Sequence, residues 1–142
     1  MATLKGIYIL AVLVSRDETV KVGSLGTVTF AKGLYAYVGS AQNGLEKRLR
    51  RHLRKALKRK FWHIDYFLAV NSVNVVKVFF KEAEKPEECA TAHVLAQFGL
   101  PVMGFGCSDC NCKSHLFHFS SIDLLETTCL KLGFAPVYLS CQ

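Results

Sequence analysis

No stretch of this sequence is long and apolar enough to suggest a membrane helix, and no part of it is low in complexity. Residues 7–14 form an apolar run of eight, whereas a membrane helix needs about 20 such residues. No small-residue cleavage site follows this run, so it does not resemble a signal peptide. Internal repeats and long linkers are also missing. These absences predict one cytoplasmic domain over residues 1–142, without membrane association.

Acidic residues are scarce relative to basic ones. The chain has 11 Asp and Glu against 18 Lys and Arg, which gives a net charge of +7. Nine of the 18 basic residues fall within residues 47–60, so one segment carries half of the positive charge. This concentration favours a polyanionic partner such as nucleic acid. An ordinary basic protein, or one whose basic segment binds an acidic protein, remains the alternative. The charge does not predict an oligomeric state.

The apolar residues predict an α+β fold in which a small, mostly antiparallel β-sheet is flanked by helices. Strands are predicted over residues 5–14, 19–22, 25–30, 34–39, 74–81, 116–119 and 137–140. Helices are predicted from residue 43 through the basic segment and over residues 61–70, 86–99 and 122–132. Several strands therefore precede the first helix.

The basic segment reads as an amphipathic helix with Asn43 as its N-cap. Its buried stripe is predicted to contain Leu45, Leu49, Leu53, Ala56 and Leu57. Arg48 and His52 border that stripe at helical spacing. Arg51, Lys55 and Arg59 continue outward from the same edge, and we expect these three to contact nucleic acid.

Two short motifs carry most of the functional information. Residues 6–8 read Gly-Ile-Tyr, and residues 37–39 read Tyr-Val-Gly. Arg48 follows the second motif by nine residues, and His52 lies four residues further on. Together these residues resemble the GIY-YIG nuclease superfamily. The connector between the two motifs is much longer than the simple hairpin found in most of these nucleases.

The resemblance implies a catalytic site made of Tyr8, Tyr37, Arg48 and His52. The two tyrosines would lie on neighbouring strands and face one pocket with Arg48. Arg48 would bind phosphate oxygens, because its planar guanidinium matches them. Tyr8 is the candidate general base and requires a lowered pKa, while His52 is the alternative base. Tyr37 would orient water or phosphate.

The resemblance also implies one divalent metal ion, Mg²⁺ or Mn²⁺, bound by a glutamate on a later helix. Glu88 is the candidate and Glu87 the alternative, since both open a helix with an acidic first turn. The expected function is metal-dependent hydrolysis of phosphodiester bonds in DNA, as an endonuclease with a role in repair. The alternative is a nucleic-acid-binding module that keeps the fold and does not cut.

A narrower resemblance covers nearly the whole chain. Three segments are similar to a branch of small proteins of uncharacterised activity: residues 62–66, which read Trp-His-Ile-Asp-Tyr, residues 88–92 with Glu88, Cys89 and Ala92, and the cysteine-rich residues 108–117. In some members of that branch the domain is attached to an endonuclease III DNA glycosylase.

The six cysteines include a cluster that invites a zinc interpretation. Cys107, Cys110, Cys112 and His115 supply four soft ligands within nine residues. One short loop presents four tetrahedral ligands with difficulty, so Cys89 or His118 could supply a distant ligand. A disulfide and free thiols are the alternatives to zinc, and an intracellular chain favours reduced cysteines.

Overall fold

An antiparallel β-sheet forms the centre of the computed structural model, which describes residues 5–54, 60, 62–107 and 110–138. In chain order the strands are β1 (Gly6–Val14), β2 (Glu18–Val22), β3 (Gly26–Phe30), β4 (Gly33–Ala41), β5 (Val73–Lys81), β6 (Leu100–Pro101), β7 (Leu116–Phe119) and β8 (Ala135–Val137). Six of them lie side by side in the order β6-β7-β4-β1-β5-β8, and each neighbouring pair is antiparallel. Strands β2 and β3 form a separate two-stranded sheet.

Helices cover both faces of the central sheet. They are α1 (Leu45–Leu53), α2 (His63–Leu68), α3 (Glu87–Leu95) and α4 (Ile122–Lys131). One core contains apolar side chains from α1 and α2, and the second core contains apolar side chains from α3 and α4. Strand β1 contributes alternate residues to each core and is therefore apolar along its length. The predicted α+β class is confirmed.

The pairing of β1 with β4 positions the two motifs. Tyr8 lies opposite Gly39, and Leu10 lies opposite Tyr37. Side chains alternate between the faces of a strand, so Tyr8 and Tyr37 point to the same face, the one covered by α1 and α2. The register is continuous from the Gly6–Ala41 pair to the Val14–Gly33 pair. The long connector between the motifs is the β2–β3 hairpin, which pairs only with itself among the described residues.

The basic helix differs from the sequence prediction at both ends. Gly44, rather than Asn43, occupies the N-cap, and its φ of 66° is a left-handed conformation that glycine tolerates best. The helix ends at Leu53, because Arg54 is extended. Leu53 was predicted to be buried, but 43% of it is exposed beside this helix end. Residues 55–59, which include Lys55 and Arg59, lie outside the described residues.

The remaining boundaries shift by a few residues. Helix α2 has six residues rather than ten, and α3 ends at Leu95 because Phe98 and Gly99 turn the chain into the unpredicted strand β6. Strand β8 ends at Val137, where the last strand was predicted to begin, and residues 139 and 140 of that predicted strand lie outside the described residues. Within the described part of the chain, no helix is long and apolar enough to cross a membrane.

Candidate active site

A cleft of about 680 Å³ opens beside the paired ends of β1 and β4. Its lining includes Tyr8 from β1, Tyr37 from β4, Arg48 from α1 and Glu88 from the first turn of α3. Helix α3 packs mainly on the opposite face of the sheet, but its N-terminal end reaches this cleft. The structure thus brings these four sequence-predicted residues to one opening.

A hydrogen bond of 2.7 Å joins the Tyr8 hydroxyl to Nε2 of His52. Both side chains are buried, with 1% and 2% of the residue exposed. Burial raises the pKa of Tyr8 well above its usual value, and the opposing effect of the Arg48 cation is smaller. Arg48 alone therefore does not give Tyr8 the lowered pKa that a general base requires, because removal from water disfavours the phenolate more strongly.

Gly39 makes room for Tyr8. A Cβ atom at position 39 would lie 2.5 Å from both Cζ and the hydroxyl oxygen of Tyr8. Such a distance is far below van der Waals contact. The second motif thus has glycine at position 39 because a larger residue there would collide with Tyr8.

Tyr37 lies beside this pair. Its ring centroid is 6.4 Å from that of Tyr8 and 6.3 Å from that of His52. Burial raises the pKa of Tyr37 well above its usual value, and the nearby Tyr8 and Glu88 add to the effect. Tyr37 is therefore a neutral hydroxyl that can donate and accept hydrogen bonds at neutral pH.

Arg48 is oriented by two contacts. Its Nη1 donates to the backbone carbonyl of Ser40 at 3.0 Å, and its Cζ lies 4.5 Å from the centroid of the Trp62 ring. Trp62 also lines the cleft and is 40% exposed. A guanidinium has five N–H donors, and a cation held in this way is suited to binding an anion in the cleft.

The structure distinguishes between the two glutamates that the sequence offered as candidate metal ligands. Glu88 lines the cleft, and its Oε2 lies 2.8 Å from Nδ1 of His115. This contact is an ion pair rather than an aligned hydrogen bond, since the ring N–H direction misses the carboxylate. Glu87 instead lies 3.5 Å from Nζ of Lys81 and does not line the cleft.

Arg51 occupies a different environment from the one predicted. Its guanidinium binds Asp65 through two contacts of 2.6 and 3.1 Å, and Asp65 is fully buried. Its Cζ also lies 4.7 Å from the Trp62 ring centroid. Arg51 therefore attaches α1 to α2. Whether it also contacts nucleic acid stays a prediction, as it does for Lys55 and Arg59.

A thiol–imidazole cluster lies next to Glu88 and consists of Cys89, Cys110, Cys112 and His115. One potential ligand atom from each of these residues lies within 4.8 Å of all the others. The cluster could hold a metal ion. Three of its members were predicted from the sequence, and Cys89 was foreseen as a distant ligand.

Cys107 and His118 do not belong to the cluster. Cys107 donates from its Sγ to the carbonyl of Phe105, and Cys89 takes its predicted place. His118 stacks on Tyr35 with a centroid distance of 4.6 Å. The five cysteines in the described part of the chain are free thiols, so no disulfide forms among them.

Several cleft residues were not predicted as site residues, including His63, Tyr66 and Lys85. The Nδ1 of His63 accepts a hydrogen bond of 2.9 Å from the backbone N–H of Gly106. Burial lowers the pKa of His63, which favours this neutral acceptor. Because these three residues lie far from the two motifs in the sequence, no local pattern indicated that they share the cleft.

Comparison with curated proteins finds no match, and comparison with solved structures finds none either. A match to a family of sequences does exist, and it covers residues 7–133. It therefore includes Tyr8, the second motif, the basic helix, Glu88 and the whole thiol–imidazole cluster. The chain belongs to the family described as domain of unknown function DUF123.

Proposed function

We propose that this protein is a GIY-YIG-type nuclease that hydrolyses phosphodiester bonds in DNA with the help of one divalent metal ion. One observation carries the proposal: Tyr8, Tyr37, Arg48 and Glu88 line a single cleft, with His52 bonded to Tyr8. These are the residues that the resemblance of the two motifs implies. A cleft that holds a cation, a carboxylate and neutral hydroxyls is suited to a phosphodiester.

Arg48 is the phosphate-binding residue in this proposal. It lies on the cleft wall, and the Ser40 carbonyl and the Trp62 ring fix its guanidinium. A planar guanidinium binds two phosphate oxygens at once and stabilises charge that develops on them. The partly exposed Trp62 ring beside it would contact a base that flanks the scissile phosphate.

Glu88 fits the role of ligand to Mg²⁺ or Mn²⁺. Among the described residues that line the cleft, Glu88 is the one with a carboxylate, and Gln42 and Asn43, whose side chains carry amide oxygens, line the same cleft. Mg²⁺ usually keeps several waters and binds through one or two carboxylates together with substrate phosphates, which this donor set allows. When bound there, the ion would supply charge stabilisation at the scissile phosphate and its leaving oxygen.

Tyr8 and His52 would act together as the proton acceptor. The Tyr8 hydroxyl would receive a proton from the attacking water as it donates its own proton to Nε2 of His52, which must start unprotonated. Since burial raises the pKa of Tyr8, a lone phenolate would be scarce at neutral pH. With histidine as the final acceptor, the phenolate need not accumulate.

The test is a cleavage assay with the full chain on linear, nicked and branched DNA, with Mg²⁺ or Mn²⁺ added or omitted. We expect cleavage of at least one substrate, dependent on the added ion. To avoid disturbing other metal sites, the ion should be omitted rather than removed with EDTA. Failure to cut any substrate with either ion would overturn the proposal.

The second candidate is a nucleic-acid-binding module without catalysis. The burial of the Tyr8 hydroxyl against His52 favours this non-catalytic candidate, because a buried and hydrogen-bonded hydroxyl is less accessible to an attacking water. This candidate predicts salt-dependent DNA binding without cleavage. Binding that persists when cleavage is absent would select it.

A further inference from the structure

We infer that the thiol–imidazole cluster is a structural zinc site, and that Glu88 holds its histidine ligand. Four ligand atoms within 4.8 Å of one another are close to the arrangement that zinc requires. Tetrahedral Zn²⁺ with bonds of about 2.3 Å to sulfur places its ligands about 3.8 Å apart. A contraction of about 1 Å, within the reach of side-chain rotation, would complete the site.

The ligands come from two separate parts of the chain, as in most structural zinc sites. Cys89 lies in α3, whereas Cys110, Cys112 and His115 lie in the loop between β6 and β7. This division removes the difficulty of presenting four ligands from one short loop. A zinc ion bound here would join α3 to that loop.

The backbone of the loop holds its three ligands in place. The Gly104 amide donates to the Lys113 carbonyl at 2.8 Å, and the His115 amide donates to the Phe105 carbonyl at 2.8 Å. Gly104 and Gly106 have φ values of 79° and 75°, a conformation that favours glycine. The hydrogen-bonded turn therefore brings the three loop ligands close together.

The imidazole of His115 is oriented for metal binding. Its Nε2 lies 3.5 Å from Sγ of Cys110, inside the cluster. Its Nδ1 lies 2.8 Å from Oε2 of Glu88, outside the cluster. Metal-bound histidines usually donate their second ring nitrogen to a carboxylate or carbonyl, which fixes the tautomer and the ring plane. Glu88 is close enough to be that carboxylate, and a small rotation of its side chain or of the His115 ring would align the hydrogen bond.

The donor set favours zinc over the ion proposed for the cleft. Three thiolates and one imidazole suit Zn²⁺, whereas Mg²⁺ prefers oxygen ligands. Four protein ligands also leave no open position for water or substrate, so the site would be structural rather than catalytic. Its effect on the cleft would come through Glu88, which contacts His115 and lines the cleft.

The first experiment measures the metal content of the purified full chain by mass spectrometry. We expect about one zinc per chain, and replacement by Co²⁺ should give the visible bands of a tetrahedral thiolate complex. Cys89→Ser should lose most of the zinc. Cys107→Ser is the matched control, since Cys107 lies in the same loop outside the cluster, and it should retain the metal.

Three results would overturn the zinc site: a wild-type protein without bound metal that also fails to bind added Co²⁺, equal zinc loss in both cysteine variants, or full retention in Cys89→Ser. Circular dichroism shows whether each variant is folded. If Cys89→Ser does not fold, Co²⁺ titration of the metal-depleted wild-type chain decides, because tetrahedral thiolate bands support the site and their absence rejects it.

The second experiment tests the role of Glu88 with the pair Glu88→Gln and Glu87→Gln. Zinc affinity is measured by competition with a chromophoric chelator. Loss of an outer carboxylate typically lowers affinity by about 10- to 100-fold, so we expect that fall for Glu88→Gln and no change for Glu87→Gln. Equal affinities in the two variants would show that Glu88 does not hold the zinc ligand.

Discussion

The Tyr8 ring lies directly against the backbone of Gly39 on the neighbouring strand, where a side chain would collide with its hydroxyl. Gly39→Ala should therefore displace Tyr8, break its bond to His52 and destabilise the fold by about 1–3 kcal/mol, the usual cost of overpacking. Chemical denaturation measures the loss. In a Tyr8→Leu background the same change should cost clearly less, since the colliding atoms are gone. Equal costs in the two backgrounds would contradict the steric explanation.

Removal of the Tyr8 hydroxyl should separate cleavage from binding. Tyr8→Phe keeps the ring that packs against Gly39 but cannot pass a proton to His52, so cleavage should fall by about 10² or more. DNA affinity should change little. Single-turnover rates and a binding titration with the same substrate measure the two effects. If Tyr8→Phe cuts as fast as the wild type, Tyr8 has no part in the proton transfer.

The basic helix offers a matched pair of arginines for stability. Arg51→Ala would leave the fully buried Asp65 without its bidentate cation, and such losses cost about 3–5 kcal/mol. Arg50 pairs with Glu46 one turn away on an exposed surface, so Arg50→Ala should cost about 0.5 kcal/mol or less. Urea denaturation of both variants compares them. Similar losses would mean that the Asp65 pair contributes little.

Three tyrosines should resist ionisation in the folded protein. Burial raises the pKa of Tyr35 to about 12 and that of Tyr8 and Tyr37 well above the usual value. A raised folded-state pKa adds stability that is complete below about pH 10, the unfolded value, and is lost as the pH rises further. We expect the phenolate absorbance of Tyr35 to appear near pH 12, and that of Tyr8 and Tyr37 to appear only on alkaline unfolding.

The measurement is a spectrophotometric titration of the native protein and of the protein in denaturant. The Tyr35→Phe and Tyr37→Phe variants assign the delayed components. If the native and denatured curves coincide near pH 10, the hydroxyls are not shielded as the structure describes.

The sequence predicted the parts of the site that depend on short-range pattern. The resemblance of the two motifs implied that Tyr8 and Tyr37 face one pocket, and in the structure the register of β1 and β4 places them on the same face. The spacing of Arg48 and His52 on one helix followed from the helical period. The helical spacing depends only on local geometry, so it can be read from the sequence.

Other parts depend on how distant elements pack. The choice of Glu88 over Glu87 follows from the position of α3 relative to the cleft, and no local pattern contains that position. The same packing brings Cys89 to the loop cysteines. Arg51 looked like a solvent-facing cation because its partner, Asp65, lies on another helix. The predicted helix ran past Leu53 because apolar residues continue at helical spacing in the sequence, whereas the backbone becomes extended at the next residue.

The β2–β3 hairpin packs on the core shared with α1 and α2 but adds no strand to the central sheet, and this has a consequence for how the domain can vary. Strands β1 and β4 pair directly with each other, so insertions or deletions near the hairpin turn would leave the distance between Tyr8 and Tyr37 unchanged. A search for the two motifs at a fixed interval would therefore miss related chains. Gly23 and Ser24 at the turn line the cleft. A hairpin of different length would reshape the entrance and alter which substrates fit, while the chemical groups behind it stayed the same.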